Sequence, residues 1–207
     1  MRPLLDYFRP PPIRSAAALR EFISGEASYL AQRSTYEFSR NALAWYGQAA
    51  FGDPEFNDAF RICRWETFAI VLSNFVLLAR ARLAARVAVP AGLDDALVAQ
   101  ARIMLAAYPT PVHRRDWEDV VAELADRLAA ARQEEPPSPA GLGAAAAARV
   151  YPTMPVQSGN KAEDRKVIAN ALSFGTIAFN DRLAVRLDDA AVVADLVAEP
   201  AAAAAPR

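Results

Sequence analysis

The chain has 207 residues, enough for one domain with a single sizeable core. Its net charge is −1, which excludes a general nucleic-acid binder, since such proteins carry a basic excess. One cysteine, Cys63, excludes an internal disulfide. With no signal-like apolar stretch at the N-terminus, this predicts the cytoplasm. Arginine and alanine are abundant and lysine is confined to Lys161 and Lys166, the usage of a GC-rich bacterial genome.

Residues 1–14 are punctuated by prolines and read as an extended arm carrying Leu4, Leu5, Tyr7 and Phe8. Ser15 can cap a helix from Ala16 to about Tyr46. Phe22, Tyr29, Tyr36 and Leu43 recur every seven residues on one face of it, widened by Leu19, Ile23 and Leu30. Asp53-Pro54 is a helix start, with an acceptor at the cap and proline at the first position. The helix that follows spans about 55–87. Its stretch Thr67 to Ala79 contains no charge. A membrane span needs about 20 apolar residues, so this stretch is read as the central helix of a soluble bundle, apolar nearly all round because others surround it.

Leu93-Asp94-Asp95 opens a third helix, to about Ala107. A fourth runs from about Asp116 to Arg132 with Trp117, Val120, Val121, Leu124 and Leu128 on its apolar face. Residues 133–160, rich in proline and glycine, are expected to be a linker, with a helical turn or two at Ala144–Val150. A long helix covers about Ala162 to Leu187, its face including Val167, Ile168, Leu172, Phe174 and Leu183. A short helix follows to about Val197, and residues 199–207 are expected to be a disordered tail. The fold class is therefore all-α: one domain, 15–198, of five or six helices around the central one.

Charge is unevenly placed. Residues 61–90 hold five arginines and one glutamate, and residues 94–135 hold nine acids and five arginines. Complementary faces of neighbouring helices account for this better than an anionic ligand at the arginines.

Catalytic motifs are scarce. His113 is the only histidine, placed in a loop beside Pro111, Arg114 and Arg115, and reads as solvated. One histidine and one cysteine make no zinc site, so neither metal nor cofactor is expected. No two glycines lie four apart, which removes the Gly-x-Ser-x-Gly nucleophile elbow. Cys63, spaced helically from Phe56 and Phe60, reads as core. What remains is a polar set in apolar surroundings: Glu66, Ser73 and Asn74 on the central helix, and Asn170, Ser173 and Asn180 on the last long one. Such groups need partners when buried. They form either a hydrogen-bond set fixing helix register, with Asn74 against Asn170, or a ligand pocket walled by Tyr29, Tyr36 and Trp65.

The segments Glu21-Phe22-Ile23, Ser28-Tyr29-Leu30-Ala31-Gln32, Arg64-Trp65-Glu66 and Leu72-Ser73-Asn74 resemble an uncharacterised family of small helical bacterial proteins, whose members often carry the label esterase. The resemblance implies a helical bacterial protein and supplies no catalytic residues.

The sequence thus favours a non-enzymatic helical interaction or adaptor protein, with a protein partner or a second copy of itself. The alternatives are a small hydrolase or ligand-binding domain near Ser73 and Asn74, and a peripheral membrane protein using residues 67–79.

Overall fold

The computed structural model describes residues 10–43, 47–132, 135, 137–156 and 160–198. Seven α-helices appear among them: α1 (Ala16–Ala42), α2 (Pro54–Ala84), α3 (Leu93–Ala106), α4 (Glu118–Ala130), α5 (Pro139–Val150), α6 (Lys161–Arg186) and α7 (Asp189–Ala198). The all-α bundle read from the sequence is the fold, and the additional helix is α5.

The helix starts follow local chemistry. The Ser15 hydroxyl accepts from Ala18 N at 3.1 Å, and the Asp53 carboxylate from Glu55 N at 2.9 Å, with Pro54 opening α2. Helix α2 touches all six other helices, and every residue from Thr67 to Arg80 is buried. By length and apolarity it would also suit a bilayer, yet 83% of its most apolar stretch lies inside the bundle. The centre of the core is aromatic. Phe75 of α2 stacks on Phe179 of α6 at 3.7 Å, and Phe179 on Phe22 of α1 at 5.4 Å.

Arg80, at the end of the apolar stretch, is buried as well. It donates to Asp94 at 3.2 Å and to the carbonyl of Ala131 at 3.0 Å, which ties α2 to α3 and to the end of α4. A buried guanidinium is tolerated only with such partners.

The expected linker is corrected in its middle. Ser138 caps α5 by accepting from Gly141 N at 3.0 Å, and Pro139 occupies the first turn. Leu142, Gly143, Ala146, Ala147 and Val150 are buried, and α5 and α6 form the most extensive helix pair in the molecule. Gly143 makes this possible. A β-carbon there would stand 2.4 Å from the Cα of Ser173, so only glycine lets the two backbones meet. Gly143, one of the glycines that suggested a linker, lies in the contact surface.

Of the expected arm, residues 1–9 lie outside the described residues. Residues 10–14 run beside the end of α6, where Ile13 exchanges backbone hydrogen bonds with Arg186 and Asp188 at 2.8 and 2.9 Å and is buried. Residues 199–207, expected to be a disordered tail, also lie outside.

Candidate functional site

Helices α1 and α6 meet tightly at one end and leave a groove along their middle. At the closed end, Phe22 lies on Phe179 and Arg186 covers the Phe22 ring at 4.8 Å. Further along, Ala171, Gly175 and Ala178 of α6 line the groove alongside Phe174 and Arg182. Leu30 drops onto Gly175, where a β-carbon would stand 2.3 Å from its Cδ1. The result is a depression of about 360 Å³, floored by Leu30 and Phe75 and walled by Tyr29 and Phe174. Two ion pairs rim it: Arg182 Nε to Glu26 at 3.0 Å, and Arg33 Nε to Glu37 at 3.0 Å.

A second depression, about 350 Å³, lies between α1 and α2. It shares Tyr29 and Arg33 with the first and adds Gln32, Tyr36, Phe60 and Arg64. Behind it Tyr36 leans on Phe51 at 5.8 Å, and Phe51 meets Phe56 and Phe60 edge-on at 5.1 and 6.1 Å. The ridge Tyr29–Arg33–Tyr36 therefore stands between two apolar-walled hollows. Its rings are wet: Tyr29 is 57% exposed, Tyr36 48%, and Phe174 across the groove 70%.

The structure distributes the polar and aromatic residues that the sequence suggests for one pocket. Tyr29 and Tyr36 do share a cleft. Trp65 does not join them; it packs against Phe68, Tyr108 and Trp117, on the side of α2 that meets the α3–α4 connection. Glu66 faces that connection too. It accepts from Arg114 Nε and Nη2 at 2.6 Å each and from His113 Nε2 at 2.7 Å. His113 is exposed on its loop, as expected, and is also hydrogen-bonded to Glu66.

Ser73 donates to the carbonyl of Ala69 at 2.9 Å within its own helix. Asn74 and Asn170 are not partners. Asn170 is exposed, whereas the Asn74 amide donates to the carbonyl of Leu142 at 3.1 Å and its oxygen accepts from Arg127 at 2.7 Å. Ser173 donates to the carbonyl of Ala140 at 3.0 Å. Periodicity groups these residues by helix face. It could not say which helix each face would meet, and α5, read as linker, takes up both Asn74 and Ser173.

Glu66 sits in a charged clamp. Burial alone would push its carboxyl pKa up, but the bonds and charges of Arg114 and His113 outweigh this and hold it below the ordinary 4.5. Arg114 is raised in turn, mainly by its bond to Glu66, and also binds Asp119 at 2.8 Å and lies over Trp117 at 4.7 Å. Glu66 is bonded by both Arg114 and His113 and closes the α3–α4 connection onto α2, and the three line an open depression of about 410 Å³. Cys63 is buried, its thiol pushed up by burial, beside Met154 at 3.5 Å. Among the described residues no three His, Cys, Asp or Glu side chains converge on a point that could hold a metal.

The sequence alone places none of Arg33, Phe60 and Arg64 at a site, and it assigns Phe174 to the apolar face of α6. A signal for the first was present: Tyr29, Arg33, Tyr36 and Arg40 alternate ring and charge at spacings of four and three, a pattern for a partly wet seam rather than a core. No protein-family model, no curated protein and no solved structure matches the chain.

Proposed function

We propose that this chain is a non-enzymatic helical binding module that docks a protein partner across the two hollows flanking the α1 ridge. The observation that carries the reading is the exposure of Tyr29, Tyr36 and Phe174 around one continuous, apolar-walled surface. Tyr, Phe and Arg are the residues that dominate interface cores, and lysine and most acids are depleted there. At ~25 cal/mol per Å², with about 100 Å² of each ring still in water, covering all three supplies roughly 7 kcal/mol. Association costs on the order of 4–15 kcal/mol, so the rings alone support a weak, exchanging complex rather than an obligate one.

Ester hydrolysis near Ser73 has less support. A serine nucleophile needs a base within hydrogen-bond reach. The Ser73 hydroxyl is spent on Ala69, and the single histidine is held by Glu66. Membrane attachment through residues 67–79 has little support either, because those side chains fill the core. A lone buried thiol suits a reducing compartment, so the cytoplasm is the proposed location.

The test places a photo-crosslinking p-benzoylphenylalanine at position 174, or at the fully exposed Val112 on the α3–α4 connection, in the native host. The expected result is a discrete protein adduct from position 174 that disappears when Tyr29→Asp is added. Equal adducts from both positions, or none from 174, would sink the reading.

A further inference from the structure

The two hollows differ in charge, and the difference says what the partner carries. In the α1–α6 groove each cation has its acid: Arg182 holds Glu26 and Arg33 holds Glu37. The α1–α2 cleft is lined by two guanidinium groups, Arg33 and Arg64, and by no carboxylate. Arg33 is spent on Glu37 and on the Tyr29 hydroxyl at 3.2 Å. Arg64 is partly buried and makes no hydrogen bond or ion pair with any described residue. Its guanidinium offers a planar fork of donors that matches a carboxylate in two-point geometry. The rings of Tyr36 and Phe60 beside it offer apolar surface to the side chains that flank such a carboxylate.

Resting on the docking reading above, we propose that the α1–α2 cleft is an acid-anchor subsite: the partner is an acidic amphipathic protein segment that presents an aspartate or glutamate to Arg64. A neighbouring apolar side chain of that segment packs on Tyr36 and Phe60. Its remaining apolar residues cross the ridge and enter the α1–α6 groove. A basic segment is disfavoured, because two cations already face the cleft. A nucleic acid would also answer a free arginine, but the chain carries no basic excess, and it is made an outcome of the test.

The experiment uses the full chain and three fluorescein-labelled model peptides of one length. Each carries leucine and phenylalanine at helical spacing, with the flanking positions all glutamate, all glutamine or all lysine. Fluorescence anisotropy gives the affinities, at low salt and at about 0.15 M, where exposed charges are screened beyond about 8 Å. The glutamate peptide is expected to bind, and the glutamine peptide to bind about tenfold more weakly, the loss of one charge-assisted contact. Arg64→Gln should remove the same factor from the glutamate peptide alone, and Arg64→Glu should reverse the preference towards lysine, both with unchanged circular-dichroism melts. The peptide series on the unaltered chain tests the same point should a variant fold poorly.

Equal affinities for the three peptides, no binding of the glutamate peptide, or indifference to Arg64→Glu would overturn the acid anchor. So would displacement of the glutamate peptide by a thymidine oligonucleotide at lower concentration than by unlabelled peptide. Charge-blind binding that is still lost with Phe174→Ser would overturn the anchor alone and leave the docking reading intact. Absence of peptide binding together with absence of an adduct at position 174 would remove both.

Discussion

Replacing Asn74 with leucine, close to it in size, tests how α2, α4 and α5 are joined. The amide of Asn74 holds two partners on two other helices: the carbonyl of Leu142 in α5 and the guanidinium of Arg127 in α4. The first bond is neutral and contributes about 1 kcal/mol; the second is charge-assisted and contributes about 1.5–3 kcal/mol. Leu142 keeps its intrahelical bond when the amide goes. Arg127 is less fortunate. It is half-buried, its pKa is lowered chiefly by that burial and also by Arg149, and Glu123, the nearby acid, is engaged by Arg149 at 2.8 Å. The loss is therefore expected to total about 3 kcal/mol, most of it at Arg127. With a urea slope of about 2–3 kcal/mol per molar, the unfolding midpoint should fall by about 1 M. Arg127→Met removes the stranded charge, so the double variant should recover part of the loss, with a coupling energy of about 1.5–2 kcal/mol in the cycle. A midpoint shift under about 0.3 M, or additivity within about 0.5 kcal/mol, would refute the polar link between these helices.

Gly143→Ala and Gly25→Ala should act with opposite signs. At Gly143 the new carbon meets the backbone of Ser173 and Leu172 at 2.4–2.7 Å, and the cost of about 1–3 kcal/mol or more outweighs the propensity gain of about 1 kcal/mol. At Gly25, inside α1 with nothing within 4 Å, that gain stands alone, and thermal melts should show the contrast. Glu66 has a folded pKa held below 4.5, so its contribution is fully present above that value and is lost as pH falls through the lower folded value. Denaturation at a series of pH values should show Glu66→Gln less stable than wild type near neutrality, with the gap closing in acid; a gap independent of pH would contradict the clamp. Ala171→Leu fills part of the α1–α6 groove and should leave stability unchanged or raise it by about 0.5–2 kcal/mol while removing the crosslink at position 174, and an adduct that survives the filling would place the partner elsewhere.

The helices were legible because their start signals are local. Ser15 and Asp53-Pro54 specify structure within one turn, and the charge-free run from Thr67 does so within its own helix. Helix α5 was not, because Gly141, Gly143 and the flanking prolines carry the composition of a linker. What makes Gly143 a packing residue is the backbone of Ser173, thirty residues downstream. The polar set failed for a related reason. The face that Asn74 occupies was readable, but its partners Leu142 and Arg127 belong to helices whose placement depends on the whole bundle.

The seven-residue stripe of α1 shows where pattern and burial part. Phe22 and Leu43 are buried, and Tyr29 and Tyr36 between them are not. Period alone makes the four equivalent. The difference comes from what stands opposite: Phe179 covers Phe22, while Ala171, Gly175 and Ala178 are too small to cover Tyr29. Native interiors are filled to the density of organic crystals, so small residues facing large exposed rings along one seam mark incomplete packing within this chain. The exposed members are tyrosines, which tolerate water at the hydroxyl and still offer a large apolar ring. Arg33 donates to the hydroxyl of Tyr29 at 3.2 Å. A seam that only had to be soluble would carry charges at these positions. One that had to close would carry leucine on α6. The wet rings of Tyr29 and Phe174, beside small residues of α6, are consistent with a third requirement, the intermittent burial of a partner's side chains.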